Sequence, residues 1–263
     1  MVALRGELVV KVGIVGKGGV GKTTTSALIA RALADRGKRV VAVDTDSNPN
    51  LGMSLGLSFE EIEAIPQLPR ALIVGAKGDL TAEGVIDEYG RTTPFGVTLI
   101  SAIKVNEAGA GCTCGGHASV RSFLGDVLDE QADVTLVDME AGLEHLSRSG
   151  GTLAYADILV VIMEPSRKSI ITAARTIALA EELGIPQTVG VGNKARLPDD
   201  AEFFEKVCAE YGVPLAGVIP YDMAVVDADR AGGSLAVGSG EPVREAVERV
   251  VDFLDRAVVA PVS

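Results

Sequence analysis

A glycine-rich segment near the start of the sequence has the residue types and spacing of a phosphate-binding loop. It reads Gly16-Lys17-Gly18-Gly19-Val20-Gly21-Lys22-Thr23-Thr24 and contains the pattern G-x-x-x-x-G-K-[ST] between an apolar run and a helical stretch. Glycines let backbone N–H groups turn toward phosphate oxygens, and the following helix presents its positive end to the same anion. We therefore predict that this segment binds Mg·ATP or ADP, with Lys22 on the β and γ phosphates and the Thr23 hydroxyl on Mg²⁺.

The same glycines also fit a dinucleotide site. Gly16 to Gly21 spell G-x-G-x-x-G, and Asp44 follows at about the distance at which such sites hold a ribose. Lys22 and Thr23 favour a triphosphate, because a site for a pyrophosphate alone needs neither. An acidic residue at the end of a later apolar run, Asp138, favours it as well.

Acidic residues follow two further apolar runs. Asp44 and Asp46 come after residues 40–43, and the two side chains would share one side if the strand continued that far. Asp138 follows residues 134–137, which is the arrangement that holds an Mg²⁺-bound water in other nucleotide hydrolases. We expect these carboxylates to face the place where Mg²⁺ and the attacking water would lie.

Two later strand ends suit recognition of the base. Asn193 and Lys194 follow residues 188–191, and Pro220, Tyr221 and Asp222 follow residues 217–219. Ligands of open parallel sheets bind beyond the carboxyl ends of the strands, where these residues would lie. We predict Asn193, Pro220 and Asp222 as nucleotide contacts.

Apolar runs alternate along the chain with stretches of helical periodicity. Strands are predicted at residues 8–15, 40–43, 97–100, 134–137, 158–163, 188–191 and 217–219. Helices are predicted at residues 24–36, 120–130, 169–182, 201–211 and 242–256. This alternation predicts an α/β fold with a mostly parallel sheet and helices on both faces. No long linker interrupts it, so we expect a single domain over residues 1–263.

The charge of the chain argues against two classes of partner. The 263 residues carry a formal net charge of −12, which disfavours nucleic acid and anionic lipid. No apolar run approaches the roughly 20 residues that span a bilayer, and Glu7 and Lys11 interrupt the apolar stretch at the start. We therefore expect a cytoplasmic protein without nucleic-acid or membrane partners.

The segment from Lys17 to Thr24 resembles the deviant Walker A motif of the MinD/ParA and nitrogenase-iron-protein class of P-loop NTPases, and the resemblance covers nearly the whole chain. It implies a homodimer that forms in the ATP state, with Lys17 reaching the partner's nucleotide. It also implies that Asp46 orients the hydrolytic water while Asp44 supports the Mg²⁺ shell. Hydrolysis should be slow, because a switch needs a long-lived ATP state.

Within that class, residues 138–148 together with Cys112-Thr113-Cys114 resemble the nickel-insertion accessory ATPases of carbon monoxide dehydrogenase. The resemblance implies a metalloenzyme client and a dimer that brings two Cys-x-Cys pairs together. Four thiolates would suit Zn²⁺, square-planar Ni²⁺ or an iron–sulfur cluster, so ligand count does not select the metal. The alternative is a pair of small apolar cysteines in a flexible loop. His117 and His145 stay outside the predicted ligand set.

Two other functions of the same class remain open. A positioning or partitioning ATPase would share the phosphate loop, although the acidic charge speaks against a DNA or membrane surface. An electron-transfer ATPase with an iron–sulfur cluster would share the four-thiolate argument, although no further cysteine lies near residues 139–142.

Overall fold

The computed structural model describes residues 10–46, 50–66, 82–101, 132–139, 156–232 and 240–259. The strands in these ranges are β1 (Val10–Gly16), β2 (Val40–Asp44), β3 (Gly90–Thr92), β4 (Thr98–Ser101), β5 (Val134–Asp138), β6 (Ile158–Met163), β7 (Gln187–Ala195) and β8 (Leu215–Pro220). The helices are α1 (Lys22–Asp35), α2 (Leu51–Ser54), α3 (Phe59–Glu63), α4 (Ala82–Tyr89), α5 (Arg167–Glu182), α6 (Asp200–Glu210), α7 (Met223–Arg230) and α8 (Glu241–Val259).

These strands form one sheet in the order β3-β4-β2-β5-β1-β6-β7-β8. Every neighbouring pair is parallel except β3 with β4. The central strand β1 lies between β5 and β6, and Asp44 of β2 is in register with Asp138 of β5. The α/β fold with a mostly parallel sheet is therefore confirmed, and the carboxyl ends of β1, β2 and β5 meet at one edge.

Alternating side chains of the sheet pack against helices on both faces. In β6, Ile158, Val160 and Ile162 join the core on the side of α1 and α8. The intervening Leu159, Val161 and Met163 join the core on the side of α5 and α6. A strand that is buried on both sides needs an uninterrupted apolar run, which is why β6 has the bounds that its sequence predicts.

The described elements differ from the predicted ones where the apolar pattern is weak or short, and the short helices α2, α3 and α4 were not predicted. Strand β3 is only three residues long and half-exposed or exposed throughout, so it has no apolar run to predict it. Helix α7 buries none of its residues, so it lacks the periodic apolar face of a core helix. The helix predicted at residues 120–130 lies outside the described residues. None of the described helices is long and apolar enough to cross a bilayer.

A charged cluster joins the end of α1 to α8. Arg36 donates to Asp252 at 2.6 Å and to Asp255 at 2.7 Å, and it also pairs with Glu248. The three acidic residues are four and three positions apart, so they share one face of the helix. We call these four residues the Arg36 cluster.

Candidate nucleotide-binding site

The loop between β1 and α1 has a backbone that only glycine allows at two of its positions. A side chain at Gly16 would lie 2.6 Å from the carbonyl oxygen of Ile162 in β6. Gly21, with φ of 92°, precedes α1, and a side chain there would overlap the amide of Asn193. The loop therefore lies tightly against the ends of β6 and β7, as the predicted phosphate site requires.

The two lysines of the loop lie in different surroundings. Lys17 is exposed, and so are Gly18 and Gly19 beside it. Lys22 is buried in the first turn of α1, where its charge lowers the pKa of Asp138. The exposed Lys17 is accessible to a second molecule, whereas Lys22 faces the acidic end of the sheet.

Two carboxyl groups are buried at the ends of β2 and β5. Asp44 is 1% exposed and Asp138 is 2% exposed. Burial raises the pKa of Asp138 to about 6, although hydrogen bonds from Thr23 and Ser26 oppose the rise. Burial, and then the charge of Asp138, raises the pKa of Asp44 to about 7. Both groups would release their protons more readily if a cation lay beside them.

Hydrogen bonds fix these groups in place. The Ser26 hydroxyl donates to Asp138 Oδ1 at 3.0 Å, and Thr45 Oγ1 donates to the Asp138 carbonyl oxygen at 2.9 Å. Asp44 accepts from the backbone N–H groups of Asp46 and Leu51, each at 3.0 Å. Ser26 was not predicted from the sequence, although it lies three residues after Thr23 and therefore on the same face of the helix.

Asp46 lies beside the two buried carboxylates. Strand β2 ends at Asp44, so the alternation of a strand does not extend to Asp46. Its negative charge nevertheless contributes to raising the pKa of both Asp44 and Asp138. The predicted catalytic acid is thus half-buried at the acidic end of the sheet, next to the predicted Mg²⁺ ligands.

The oxygen donors of this site fit Mg²⁺. The predicted ligands Thr23, Asp44 and Asp138 supply one hydroxyl and two carboxylates, and Thr23 and Asp138 are already hydrogen-bonded to each other. Mg²⁺ usually takes few protein oxygens and completes its shell with phosphate and water. A divalent cation here would offset the burial of negative charge. The roles of these three residues remain predictions.

A pocket of 210 Å³ opens beside the loop. Its wall contains all three residues predicted to contact the base region, Asn193, Pro220 and Asp222, together with Lys194 and Tyr221. Thr24 of the predicted phosphate loop also lies in this wall. The apolar part of the wall was not predicted, because no motif marks it, and it includes Leu28, Ile219, Val225, Val226 and Val243.

The polar residues of the pocket already have protein partners. Asn193 Nδ2 donates to the Val20 carbonyl oxygen at 2.8 Å, which leaves Oδ1 as the acceptor of that amide. Asp222 accepts from Ala224 N at 2.8 Å and from Gly240 N at 2.7 Å. The carboxylate of Asp222 thus caps α7 and holds the start of α8. Its predicted contact with the nucleotide stays a prediction.

The predicted metal ligands Cys112 and Cys114 lie outside the described residues, as do His117 and His145. Within the ranges that the structure describes, no group of three or more His, Cys, Asp or Glu residues is placed to hold a metal ion by itself.

Comparison with known proteins identifies the family. The model of the CobQ/CobB/MinD/ParA nucleotide binding domain matches residues 14–235. The carbon monoxide dehydrogenase accessory protein CooC of Rhodospirillum rubrum is 36% identical over 236 residues, which cover 84% of this chain and 88% of that protein. An uncharacterized ATP-binding protein of Methanocaldococcus jannaschii is 31% identical over 257 residues, 93% of this chain and 97% of that protein.

A solved structure shows the same fold. The septum site-determining protein MinD of Pyrococcus horikoshii, complexed with Mg-ADP, aligns with a TM-score of 0.70 at 21% identity, over 95% of this chain and 97% of that one. On the family match and the relatives together, the chain belongs to the CobQ/CobB/MinD/ParA nucleotide-binding family and is an ATPase of that class.

Proposed function

We propose that the chain is an ATP-driven dimeric switch that binds a metal through paired Cys112 and Cys114 and assists nickel insertion into carbon monoxide dehydrogenase or a related metalloenzyme. The observation that carries this proposal is the 36% identity with CooC over 84% of the chain. The Cys-x-Cys sequence supports it, because two such pairs in a dimer supply the four thiolates of a closed metal site. We also propose that residues 1–263 form a single nucleotide-binding domain and that the protein is cytoplasmic.

Nucleotide binding would use the loop and the pocket beside it. The backbone of residues 16–24 and Lys22 would hold the phosphates, while Asn193, Pro220 and Asp222 would contact the base. Mg²⁺ held by Thr23, Asp44 and Asp138 would neutralise charge on the phosphates when bound. The acceptor oxygen that Asn193 retains suits the amino group of adenine, and this supports ATP as the nucleotide.

Hydrolysis would depend on residues from two chains. Asp46 would orient a water for attack on the γ phosphorus, and the bond to the β–γ bridging oxygen would break to give ADP and phosphate. Lys22 of one chain and Lys17 of the other would stabilise the charge that develops. The exposure of Lys17 supports a role across the interface. Such a site positions groups without a strong base, which supports slow turnover.

The third cysteine of the chain differs from the proposed ligands. Cys208 is buried in α6, and burial raises the pKa of its thiol to about 11. A thiol of this kind stays protonated near neutral pH and is a poor metal ligand. Cys208 therefore offers a matched control for the exchange of Cys112 and Cys114.

The test is anaerobic metal analysis combined with light scattering on reduced protein. Ni²⁺ or Zn²⁺ is offered with ADP, with nonhydrolysable ATP and without nucleotide. We expect one metal per dimer in wild-type protein and in Cys208→Ala, and its loss when Cys112 and Cys114 are both changed to Ser. Unchanged stoichiometry in the double variant would refute the metal site. A monomer with nonhydrolysable ATP would refute the switch, and cluster absorption would favour an iron–sulfur function.

A further inference from the structure

Strand β7 carries a bulge at the point where it meets the phosphate loop. Between Gly192 and Ala195 it advances three residues while β8 advances only two, from Val218 to Pro220. Within this bulge Lys194 has φ of 60°, and among the described residues it is the one non-glycine residue with positive φ. The left-handed conformation is unfavourable for a lysine backbone, so contacts with the surrounding structure must stabilise it.

The bulge turns two consecutive side chains toward one loop. In a regular strand, neighbouring side chains point to opposite faces. Here Asn193 Nδ2 donates to the carbonyl oxygen of Val20 at 2.8 Å, and Lys194 Nζ donates to that of Gly19 at 2.5 Å. Bulges next to functional sites commonly re-aim side chains in this way.

These two bonds hold the apex of the phosphate loop. The C=O and N–H groups of one trans peptide unit point in opposite directions, so fixing the carbonyls of Gly19 and Val20 also fixes the N–H groups of Val20 and Gly21. The apex needs such support, because Gly18 and Gly19 are exposed and glycine has the largest conformational freedom to lose. The bond from Lys194 is charge-assisted and therefore the stronger kind.

We propose that Lys194 is a positioning residue, whose ammonium group holds the phosphate loop in its binding conformation before nucleotide arrives. The loop is then ordered before the nucleotide binds, so the cost of ordering it does not reduce the affinity for nucleotide. The inference rests on the assignment of residues 16–24 as the phosphate loop and is independent of the metal site. This role accounts for the strained backbone at Lys194, because the left-handed conformation brings its side chain to the Gly19 carbonyl oxygen.

The first test compares wild-type protein with Lys194→Met, which keeps the length of the side chain but removes the donor. We expect amide hydrogen exchange at residues 18–21 to become faster in nucleotide-free protein and to return to the wild-type rate with nonhydrolysable ATP. ADP should bind about tenfold more weakly, the loss expected of one charge-assisted hydrogen bond. The KM for ATP should rise similarly, while kcat stays within about twofold, as for a lost ground-state contact.

Two further variants make the result specific. Lys194→Arg keeps a charged donor and should recover most of the affinity, whereas Lys206→Met, at an exposed position of α6, should change nothing. Lys194→Gly relieves the strained φ and should keep or raise the melting temperature while weakening ADP as much as Lys194→Met does. A variant whose fold was damaged would instead lose both melting temperature and ADP affinity.

The proposal fails if Lys194→Met has wild-type loop exchange and wild-type ADP affinity. It fails equally if kcat falls while KM is unchanged, because Lys194 would then act in the reaction itself. Either result leaves metal binding by the cysteines untouched. If unaltered protein bound no ADP, both this inference and the assignment of the phosphate loop would fall.

Discussion

Asp44 and Asp138 are neighbours in the sheet and are both buried, and this burial raises the pKa of each carboxyl group. An isolated carboxylate in such a place favours its protonated form, and a cation reverses that preference. Mg²⁺ held by these two carboxylates, as proposed, would compete with protons for them.

At this scale we predict a stability that depends on pH. Burial raises the pKa of Asp44 to about 7 and that of Asp138 to about 6 from 3.8. Between 3.8 and these raised values, the unfolded chain has already released protons that the folded protein still holds. The free energy of unfolding of protein without Mg²⁺ and nucleotide should therefore fall as pH rises from about 4 to about 7 and then level off.

Urea unfolding at several pH values, with wild-type protein and Asp44→Asn, checks this dependence. The variant should show a smaller decrease, because one of the two titrating groups is gone. Saturating Mg·ADP should flatten the wild-type curve. Parallel curves for wild type and variant would show that Asp44 does not titrate in this range.

The exposed lysine of the loop carries a second prediction. Lys17→Ala should lower ATP turnover by about two orders of magnitude, the effect of removing one group that stabilises transition-state charge. Nucleotide affinity should stay close to wild type, because Lys17 is proposed to act on the partner's nucleotide. Turnover measured against protein concentration, beside fluorescent ADP binding, separates the two effects, with Lys38→Ala as an exposed control. A parallel loss of binding would contradict action across the dimer.

Single residues also show what sequence reasoning can reach. Gly16, Lys22 and Thr23 belong to a contiguous pattern, so their place in the site was predictable. The contact of Lys194 with Gly19 depends on a bulge between β7 and β8 and on the left-handed backbone of Lys194. Neither feature can be predicted from the residue types around it. The position of Asp222 in the pocket wall was predictable, but the two backbone N–H groups that donate to its carboxylate were not.

Elements were predictable where burial on both faces imposes a long apolar run. All seven predicted strands are present, and β6 has the predicted bounds. The exposed β3, the unburied α7 and the short helices α2, α3 and α4 were missed. Hydrophobic periodicity reports burial over several turns, and these elements are either exposed or too short to show a period. The pairing order of the strands is set by tertiary packing, which the sequence pattern does not encode.

Packing between β7 and α6 supports a prediction at the scale of elements. A Cβ atom at Gly192 would lie 2.9 Å from the ring of Phe204, which is fully buried. Gly192→Ala should therefore lower the free energy of unfolding by about 1–3 kcal/mol through overpacking. The double variant with Phe204→Leu should cost less than the sum of the two single changes, as measured by urea unfolding. Additive losses would mean that the two sites do not touch.

Over the whole molecule, the net charge of −12 makes the arrangement of basic residues important. Arg36 lies against three carboxylates of α8, so it joins the phosphate-loop helix to the C-terminal helix. Its removal would leave three like charges on one helix face.

We predict that Arg36→Met lowers the free energy of unfolding by about 1 kcal/mol at low salt, a modest value because all four side chains are partly exposed. The difference from wild type should shrink in about 1 M salt, where screening acts over about 3 Å. Arg167→Met, which breaks one exposed pair with Glu210, is the control and should change stability by less than about 0.5 kcal/mol. An Arg36→Met effect that salt does not alter would point to lost packing instead.

The two outermost of the described strands offer little for pairing with a further strand. At one side, β3 offers only three residues for pairing, including the exposed Arg91 and Thr92. At the other side, β8 ends in Pro220, which has no backbone N–H to donate to another strand. Short, charged or proline-bearing margins of this kind protect β proteins from fibrous aggregation. Pairing of two copies of this chain into one continuous sheet is therefore disfavoured, which leaves the proposed contact across the nucleotides free of this competing association.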